Sequence, residues 1–211
     1  MLRYLARKRL IAQLTLSLFL APFAQFPDSH AAELEGNIGV AALVVNRVKS
    51  HYQNTTKKLV LRDWVFHKEI IETTSDSTTQ LIFLDETVLT IGPDSRLVLD
   101  ELVFDPNKSP KFTVPAAKGV FRFVSGNLAS ETYAINTPTG TIGVRGTVFD
   151  VFVARNGSTT VALRNGGIDV KNLRGISKSI DTVGLSTTVE TKRSVPTPPK
   201  VVPPKLEALF V

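Results

Sequence analysis

The sequence contains no cysteine, so no disulfide can hold the fold together and no thiol can act as a nucleophile or metal ligand. It contains three histidines, and only His51 and His67 lie beyond residue 31. Neither has a second histidine or a cysteine three to five residues away, so we interpret both as structural or surface residues. Stability must therefore come from packing, and no metal or cofactor is expected.

The sequence also lacks any basic run interleaved with aromatic residues. Its formal net charge is +6, but residues 1–31 hold four of the 25 basic residues and one of the 19 acidic residues. The remainder therefore carries a net charge of +3, with the charges scattered along the chain. This pattern does not provide the continuous basic surface that nucleic acid requires, so we expect no nucleic-acid binding.

Beyond residue 31 no apolar run approaches the roughly 18 residues that cross a bilayer. Residues 1–31 have the pattern of a signal peptide: basic residues at the start, an uncharged stretch from Leu10 to Pro27, and small residues at Ser29 and Ala31. A membrane anchor is the alternative, but polar residues interrupt the apolar stretch. We therefore expect a periplasmic protein, or an extracellular one, with no transmembrane segment after cleavage.

Short alternating runs bounded by turn residues occupy the rest of the chain. Examples are "TQLIFL" (Thr79–Leu84), "GVFRFV" (Gly119–Val124) and "TVFDVFV" (Thr147–Val153). Alternation with β-branched and aromatic residues predicts strands, so we expect an all-β domain over residues 32–190. The segment Lys57–Thr73 is equally compatible with one helix or two strands.

Residues 191–211 differ in composition from the domain. Prolines concentrate between Pro196 and Pro204, which predicts an extended, exposed linker or arm. The final residues, "LEALFV", are more apolar. We expect a frayed terminus there, with docking onto the domain or a partner as the alternative.

Three glycines spaced three apart, at Gly140, Gly143 and Gly146, lie in the stretch Ile135–Val153. A nucleotide-binding P-loop would require lysine after the last glycine, and a dinucleotide-binding loop would open a helix. Here Thr147 and a strand-like run follow instead. We therefore interpret the glycines as backbone devices within β structure, with Arg145 folded back on backbone carbonyls.

The same stretch carries a family resemblance. "TPTGTIGVRGTVFDV" resembles the hallmark of FecR domains, and "KGVFRFVSG", "LIFLDETVLTIGPDSRLVL" and "VALRNGGIDV" fit the rest of that pattern in order. The resemblance covers roughly Leu59–Val189. It departs from the family at Arg62–Asp63, where glycine usually precedes the aspartate, and at Asp85–Glu86–Thr87, where Asp-Gly-Ser is usual.

The resemblance implies an all-β fold, either a short twisted β-solenoid or a sandwich-like FecR domain. It also implies a non-enzymatic, periplasmic role in which the protein binds a protein partner of the cell envelope, such as a receptor or membrane regulator, for sensing or regulation. Only the outer module is resembled, so an anti-sigma role is not carried over. The motif residues expected to serve structure or partner contact are Thr137, Pro138, Gly140, Gly143, Arg145, Gly146 and Thr147.

The alternative is an envelope protein that is structural or that binds glycan or peptidoglycan. Its candidate contacts are the aromatic pairs Trp64 with Phe66 and Phe121 with Phe123, although core packing is the more common use of such residues. The aspartates that follow or precede strands lack Ca²⁺-loop spacing, so we interpret them as turn residues. They are Asp63, Asp85, Asp94, Asp100 and Asp105.

Overall fold

Strand follows strand through the chain, as the alternating runs predict. The computed structural model describes residues 36–99, 102–103, 111–129 and 133–208. The predicted signal peptide, Asp100, Asp105 and residues 209–211 lie outside these ranges. The described strands are β1 (Asn37–Val45), β2 (Val48–Tyr52), β3 (Thr55–Lys58), β4 (Trp64–Phe66), β5 (Ile70–Thr73), β6 (Thr78–Phe83), β7 (Val88–Ile91), β8 (Arg96–Val98), β9 (Leu102–Val103), β10 (Lys111–Val124), β11 (Tyr133–Asn136), β12 (Gly140–Val153), β13 (Thr159–Asn172), β14 (Ser177–Ile180), β15 (Leu185–Val189) and β16 (Lys200–Val201), and a single helical turn, α1, spans Pro204–Glu207.

The strands form one open, connected sheet system with two parts. The larger part runs in the order β16-β15-β13-β12-β11-β10-β7-β6-β1-β4, and β14 and β9 pair at its sides. The smaller part is β3-β2-β5-β8, which joins the larger part through β10. We call these parts sheet A and sheet B. Between described strands, every pairing is antiparallel except that of β10 with β11.

One hydrophobic core joins the two sheets. Val48, Ile71 and Leu97 point inward from sheet B, and Leu81 and Phe123 point inward from sheet A, all within one cluster of buried residues. Alternation places their neighbours on the outer faces, since successive side chains of a strand point to opposite sides. The all-β prediction is confirmed, and the arrangement agrees with a sandwich-like FecR domain.

Several tight turns use residues other than glycine in the left-handed region. The φ angles of Arg62 and Glu86 are 69° and 67°. These are the two places where the family pattern usually has glycine, so the turns are kept although the permissive residue is missing. A left-handed conformation costs a non-glycine residue about 1–2 kcal/mol.

The segment Lys57–Thr73 forms strands and not a helix. It contains the end of β3 and all of β4 and β5, separated by turns at which Arg62 and Lys68 have positive φ. Its β-branched residues favour this outcome, because they lose side-chain freedom in a helix and pack well on a pleated sheet.

The proline-rich tail does not stand free as an exposed arm. Thr197 donates its N–H to the carbonyl of Thr188 at 2.9 Å, and Val202 donates to Gly184 at 3.0 Å. Val202 is only 3% exposed. The tail follows the edge of sheet A because the residues between the prolines keep their backbone donors.

Candidate interaction surfaces

The glycine motif occupies the hairpin from β11 to β12. Thr137 and Gly140 close its turn: the Thr137 N–H donates to the Gly140 carbonyl at 2.8 Å, and the Gly140 N–H donates to the Thr137 hydroxyl at 3.1 Å. Pro138 lies within this turn, whose next residue, Thr139, is buried and donates to Thr159 at 2.9 Å. The motif is therefore built into pleated backbone and does not open a helix.

The three glycines occupy different environments. A Cβ on Gly140 would lie closer than 3.0 Å to the carbonyl oxygen of Lys171, so the two backbones approach too closely for any side chain. Gly146 has a φ of 60° and lies where the pairing of β12 with β13 shifts register. Gly143 has room for a Cβ, whose nearest neighbour would be 3.7 Å away. Backbone geometry therefore explains Gly140 and Gly146 but not Gly143.

Arg145 pairs with carboxylates on the surface and not with backbone carbonyls as expected. Its Nε lies 3.4 Å from Asp169, and its Nη2 donates to Asp181. Gly167, directly opposite on β13, leaves room for the guanidinium, because a Cβ there would lie 3.0 Å from Arg145 Nη2. The Arg145 side chain is 46% exposed, so each of these ion pairs contributes at most about 1 kcal/mol.

The strand after the motif has a different environment on each face. Thr147, Phe149 and Val151 are buried on the inner face, and the Thr147 hydroxyl donates to the carbonyl of Asn165 at 2.6 Å. Asp150 points to the outer face, where it is only 6% exposed. The outer cover around Asp150 consists of arginines and the tail.

Asp150 joins two arginines and, through them, the tail. Arg122 binds it through Nε at 2.7 Å and Nη2 at 3.0 Å, and Arg164 Nε donates to it at 2.7 Å. Arg164 also binds both carboxylate oxygens of Glu207 in α1, at 2.8 and 2.7 Å. Burial acts to lower the pKa of Arg164, but the hydrogen bonds to Glu207 and Asp150 outweigh it, so the pKa lies above its ordinary value. Leu206 lines the same small cavity as Phe152 and Ala162, so α1 docks on the outer face of sheet A.

A line of apolar side chains crosses the outer face of sheet A beside this network. Cross-strand register places its members directly opposite one another, strand by strand. We call them the apolar row: Trp64, Val40, Ile82, Val88, Val124 and Val148. Trp64 is 39% exposed and the other five are half-buried. Five strand spacings of about 4.8 Å make the row about 24 Å long.

The apolar row was not found from the sequence. Alternation shows that Ile82 and Val88 point away from Leu81 and Leu89, but it does not show which residue of the next strand lies opposite. Register depends on turn geometry and on the bulge between Ala41 and Leu43. The two outward valines of β7 and β10 are thus visible in sequence, but their alignment is not.

The remaining predicted candidates have structural settings. The Asp63 carboxylate accepts from the Val60 N–H at 3.1 Å, and Asp85 accepts from the Thr87 N–H at 3.1 Å. Asp94 lies in a turn with a φ of 51°. These contacts fit the interpretation of the aspartates as turn residues at the three positions, of five, that the structure describes.

The aromatic pairs separate into a core pair and a surface pair. Phe121 and Phe123 are buried in the core. Phe66 stacks on Tyr52 with ring centroids 4.9 Å apart, and Trp64 belongs to the apolar row. The Tyr52–Phe66 stack borders an open pocket of about 200 Å³ that also contains Ser50, Glu69 and other polar residues.

His51 makes its side-chain contacts on sheet B. His51 Nδ1 lies 2.8 Å from the Thr56 hydroxyl, and its Nε2 lies 3.0 Å from Glu72. Within the described ranges, no three or more His, Cys, Asp or Glu residues are grouped so that they could hold a metal ion. None of the helical residues in those ranges forms a helix long and apolar enough to cross a membrane.

By its fold, the described part of the chain is an all-β, sandwich-like domain whose distinctive features lie on the outer faces of its sheets. In sequence, residues 69–169 match the family model described as FecR protein. No curated protein matches the chain in sequence.

Two crystal structures of a candidate anti-sigma factor from Parabacteroides distasonis ATCC 8503 share the fold. The TM-scores are 0.51 and 0.50, each at 15% sequence identity. In both cases the alignment covers 63% of this chain and 59% of the other chain. At this identity the likeness concerns the fold alone.

Proposed function

We propose that this is a non-enzymatic, exported FecR-domain protein that binds a protein partner in the cell envelope in a sensing or regulatory role. The FecR match over residues 69–169 supports the regulatory class. The fold shared with a candidate anti-sigma factor is in keeping with that class. The pattern of residues 1–31 supports a periplasmic location.

The apolar row is the observation on which partner binding rests. Outward positions of a sheet normally carry polar residues, and contiguous apolar surface on a monomer commonly marks an interaction site. Here five aliphatic side chains and Trp64 align across six neighbouring strands. Tryptophan is enriched among residues that dominate binding energy, so Trp64 is the expected anchor of the contact.

The motif residues serve this surface indirectly in the proposal. Thr137, Pro138 and Gly140 shape the hairpin, and Gly146 and Thr147 set the bulge that precedes Val148 of the apolar row. Arg145 holds β12 to Asp169 and Asp181. The backbone at Gly143 has room for a Cβ, so its geometry does not require glycine. We therefore assign Gly143, among the motif residues, to partner contact.

Site-specific photo-crosslinking in cells tests the proposal. The full chain carries a photo-reactive residue at Val88 of the apolar row or, as the control, at Lys178 on the exposed β14. We expect one defined adduct with an envelope protein from position 88 only. A Val124→Asp substitution in the same row should abolish that adduct while the unfolding midpoint changes little. The absence of any adduct, or the same adducts from both positions, would refute partner binding through this face.

A glycan-binding role is the second candidate, favoured by the Tyr52–Phe66 stack beside its polar pocket. Aromatic faces and buried polar groups are suited to sugar rings. Sedimentation of the purified protein with peptidoglycan tests it. Co-sedimentation that is lost in Tyr52→Ala but kept in Val88→Asp would favour this role over the first.

A further inference from the structure

A second row of aligned side chains crosses the outer face of sheet B, and it is predominantly cationic. Lys58 of β3 lies opposite Lys49 of β2, and Lys49 lies opposite Glu72 of β5. Glu72 in turn lies opposite Arg96 of β8, which lies opposite Lys118 of β10. We call these five residues the basic row. Four strand spacings give it a length of about 19 Å.

The single carboxylate in the basic row is already engaged. Glu72 forms an ion pair with Arg96, and its carboxylate also lies 3.0 Å from Nε2 of His51. Within the described part of the chain, no ion pair involves Lys49 or Lys58. The two lysines face each other directly, an arrangement that repulsion makes unfavourable in a sheet. An anionic occupant would relieve this repulsion.

The lysine end of the row opens into a groove of about 690 Å³ that is lined by residues of β2, of β3 and of the turn before β2. Arg47 and Lys57 line it together with Lys49 and Lys58. Asp76 also lines it, and its carboxylate, which accepts hydrogen bonds from the Thr74 hydroxyl at 2.9 Å and the Ser77 hydroxyl at 3.3 Å, keeps its negative charge. Lys57 is paired with Asp63 at 3.4 Å. Because its lining holds four cationic side chains and one carboxylate, the groove is a concave surface of net positive charge.

Protection of a sheet edge does not account for the whole row. Among the described strands β3 pairs only with β2, and lysines on an edge strand commonly prevent edge-to-edge aggregation. That role suits Lys58, and it would end at the edge. Arg96 and Lys118 continue the row onto strands that are paired on both sides.

We infer that the basic row and its groove bind an acidic, extended segment of a protein partner. An extended chain advances about 3.3 Å per residue, so about six residues would cover the row, with alternate side chains directed at the cations. A bilayer surface fits less well. Among the described residues, none of the large exposed apolar side chains that could anchor a protein in a bilayer belongs to β2, β3, β5 or β8.

This inference builds on the proposed binding of a protein partner, but it concerns a different face. A failed peptide titration with an intact crosslink from Val88 would refute only the acidic segment. The loss of the crosslink with intact peptide binding would refute only the apolar contact. The two proposals therefore fail separately.

The test measures the binding of the full chain to a labelled peptide of alternating glutamate and threonine. The matched peptide has glutamine in place of glutamate. The row variant carries Lys49→Gln and Lys58→Gln, and the control variant carries Lys178→Gln and Lys192→Gln, which removes the same net charge from exposed positions elsewhere. Vesicles of phosphatidylglycerol provide the membrane arm.

We expect the row variant to weaken binding of the acidic peptide about tenfold at physiological ionic strength, and the control variant to weaken it less than about twofold. The unfolding midpoint of the row variant should stay the same or rise, because the opposed lysines are gone. Equal weakening in both variants, equal binding of the glutamine peptide, or absence of binding would overturn the inference. Row-dependent binding to vesicles without binding to the peptide would assign the surface to membranes instead.

Discussion

Alanine substitutions at two glycines of β12 distinguish a glycine that the backbone geometry requires from one that it does not require. In Gly140→Ala the new Cβ would lie closer than 3.0 Å to the carbonyl oxygen of Lys171, and neither partner is a flexible side chain. The strands must shift apart, and overpacking of this kind costs about 1–3 kcal/mol. In Gly143→Ala the nearest atom is 3.7 Å away, which is ordinary contact.

The two variants should therefore change stability in opposite directions. Gly140→Ala should lower the free energy of unfolding by about 1–3 kcal/mol, or the midpoint by about 2–12 °C for a domain of this size. Gly143→Ala should raise the free energy of unfolding by up to about 1 kcal/mol, because alanine restricts the unfolded chain.

Urea unfolding followed by far-ultraviolet circular dichroism measures both values on the full chain. The pair controls for itself, since the substitution, the strand and the added volume are the same. Similar losses at both positions would refute the argument from close backbone approach. Partner crosslinking of Gly143→Ala then tests whether that glycine serves the contact.

Three further outcomes are expected. Asp150→Ala should lower the free energy of unfolding by about 2 kcal/mol in urea titrations, because Arg122 and Arg164 lose their shared acceptor; unchanged stability would show that the network contributes little. Burial is the main cause that raises the pKa of Tyr133 above its usual 10.0, so the neutral phenol favours the folded state. The contribution of Tyr133 to the free energy of unfolding should therefore be fully present below pH 10 and should decline above it. Tyr133→Phe should remove that dependence in alkaline unfolding curves. Glu86→Gly should raise the free energy of unfolding by up to about 1 kcal/mol, and with it the thermal midpoint, by relieving a positive φ; a lower midpoint would contradict the strain.

The strands and their inward faces could be predicted from sequence because alternation is a local property. "TQLIFL" forms most of β6, with Leu81 and Phe83 buried as the pattern implies. The glycine motif was likewise interpreted as part of a β structure, and it lies in the hairpin of β11 and β12. Local composition and short motifs were sufficient for these elements.

The surfaces depended on information that local patterns do not carry. The alignment of Ile82 with Val88, or of Lys49 with Lys58, follows from register, which turns and bulges fix over long sequence separations. Arg145 was expected to meet backbone carbonyls, because Asp181 is distant in sequence. The proline-rich tail was expected to be an exposed arm, with docking of its last residues as the alternative, for a related reason: proline content indicates an extended chain but not the edge beside which it lies.

The order of strands has a practical consequence for how this protein can be divided. The family match begins at residue 69, whereas β1 supplies the neighbour of β6, and β2 the neighbour of β5. It ends at residue 169, before β14 and β15, which cover β13. A fragment trimmed to the recognisable family segment would expose bare edges on both sheets and lose part of the shared interior. The matched stretch is thus shorter than the set of strands that pair with one another around the shared core.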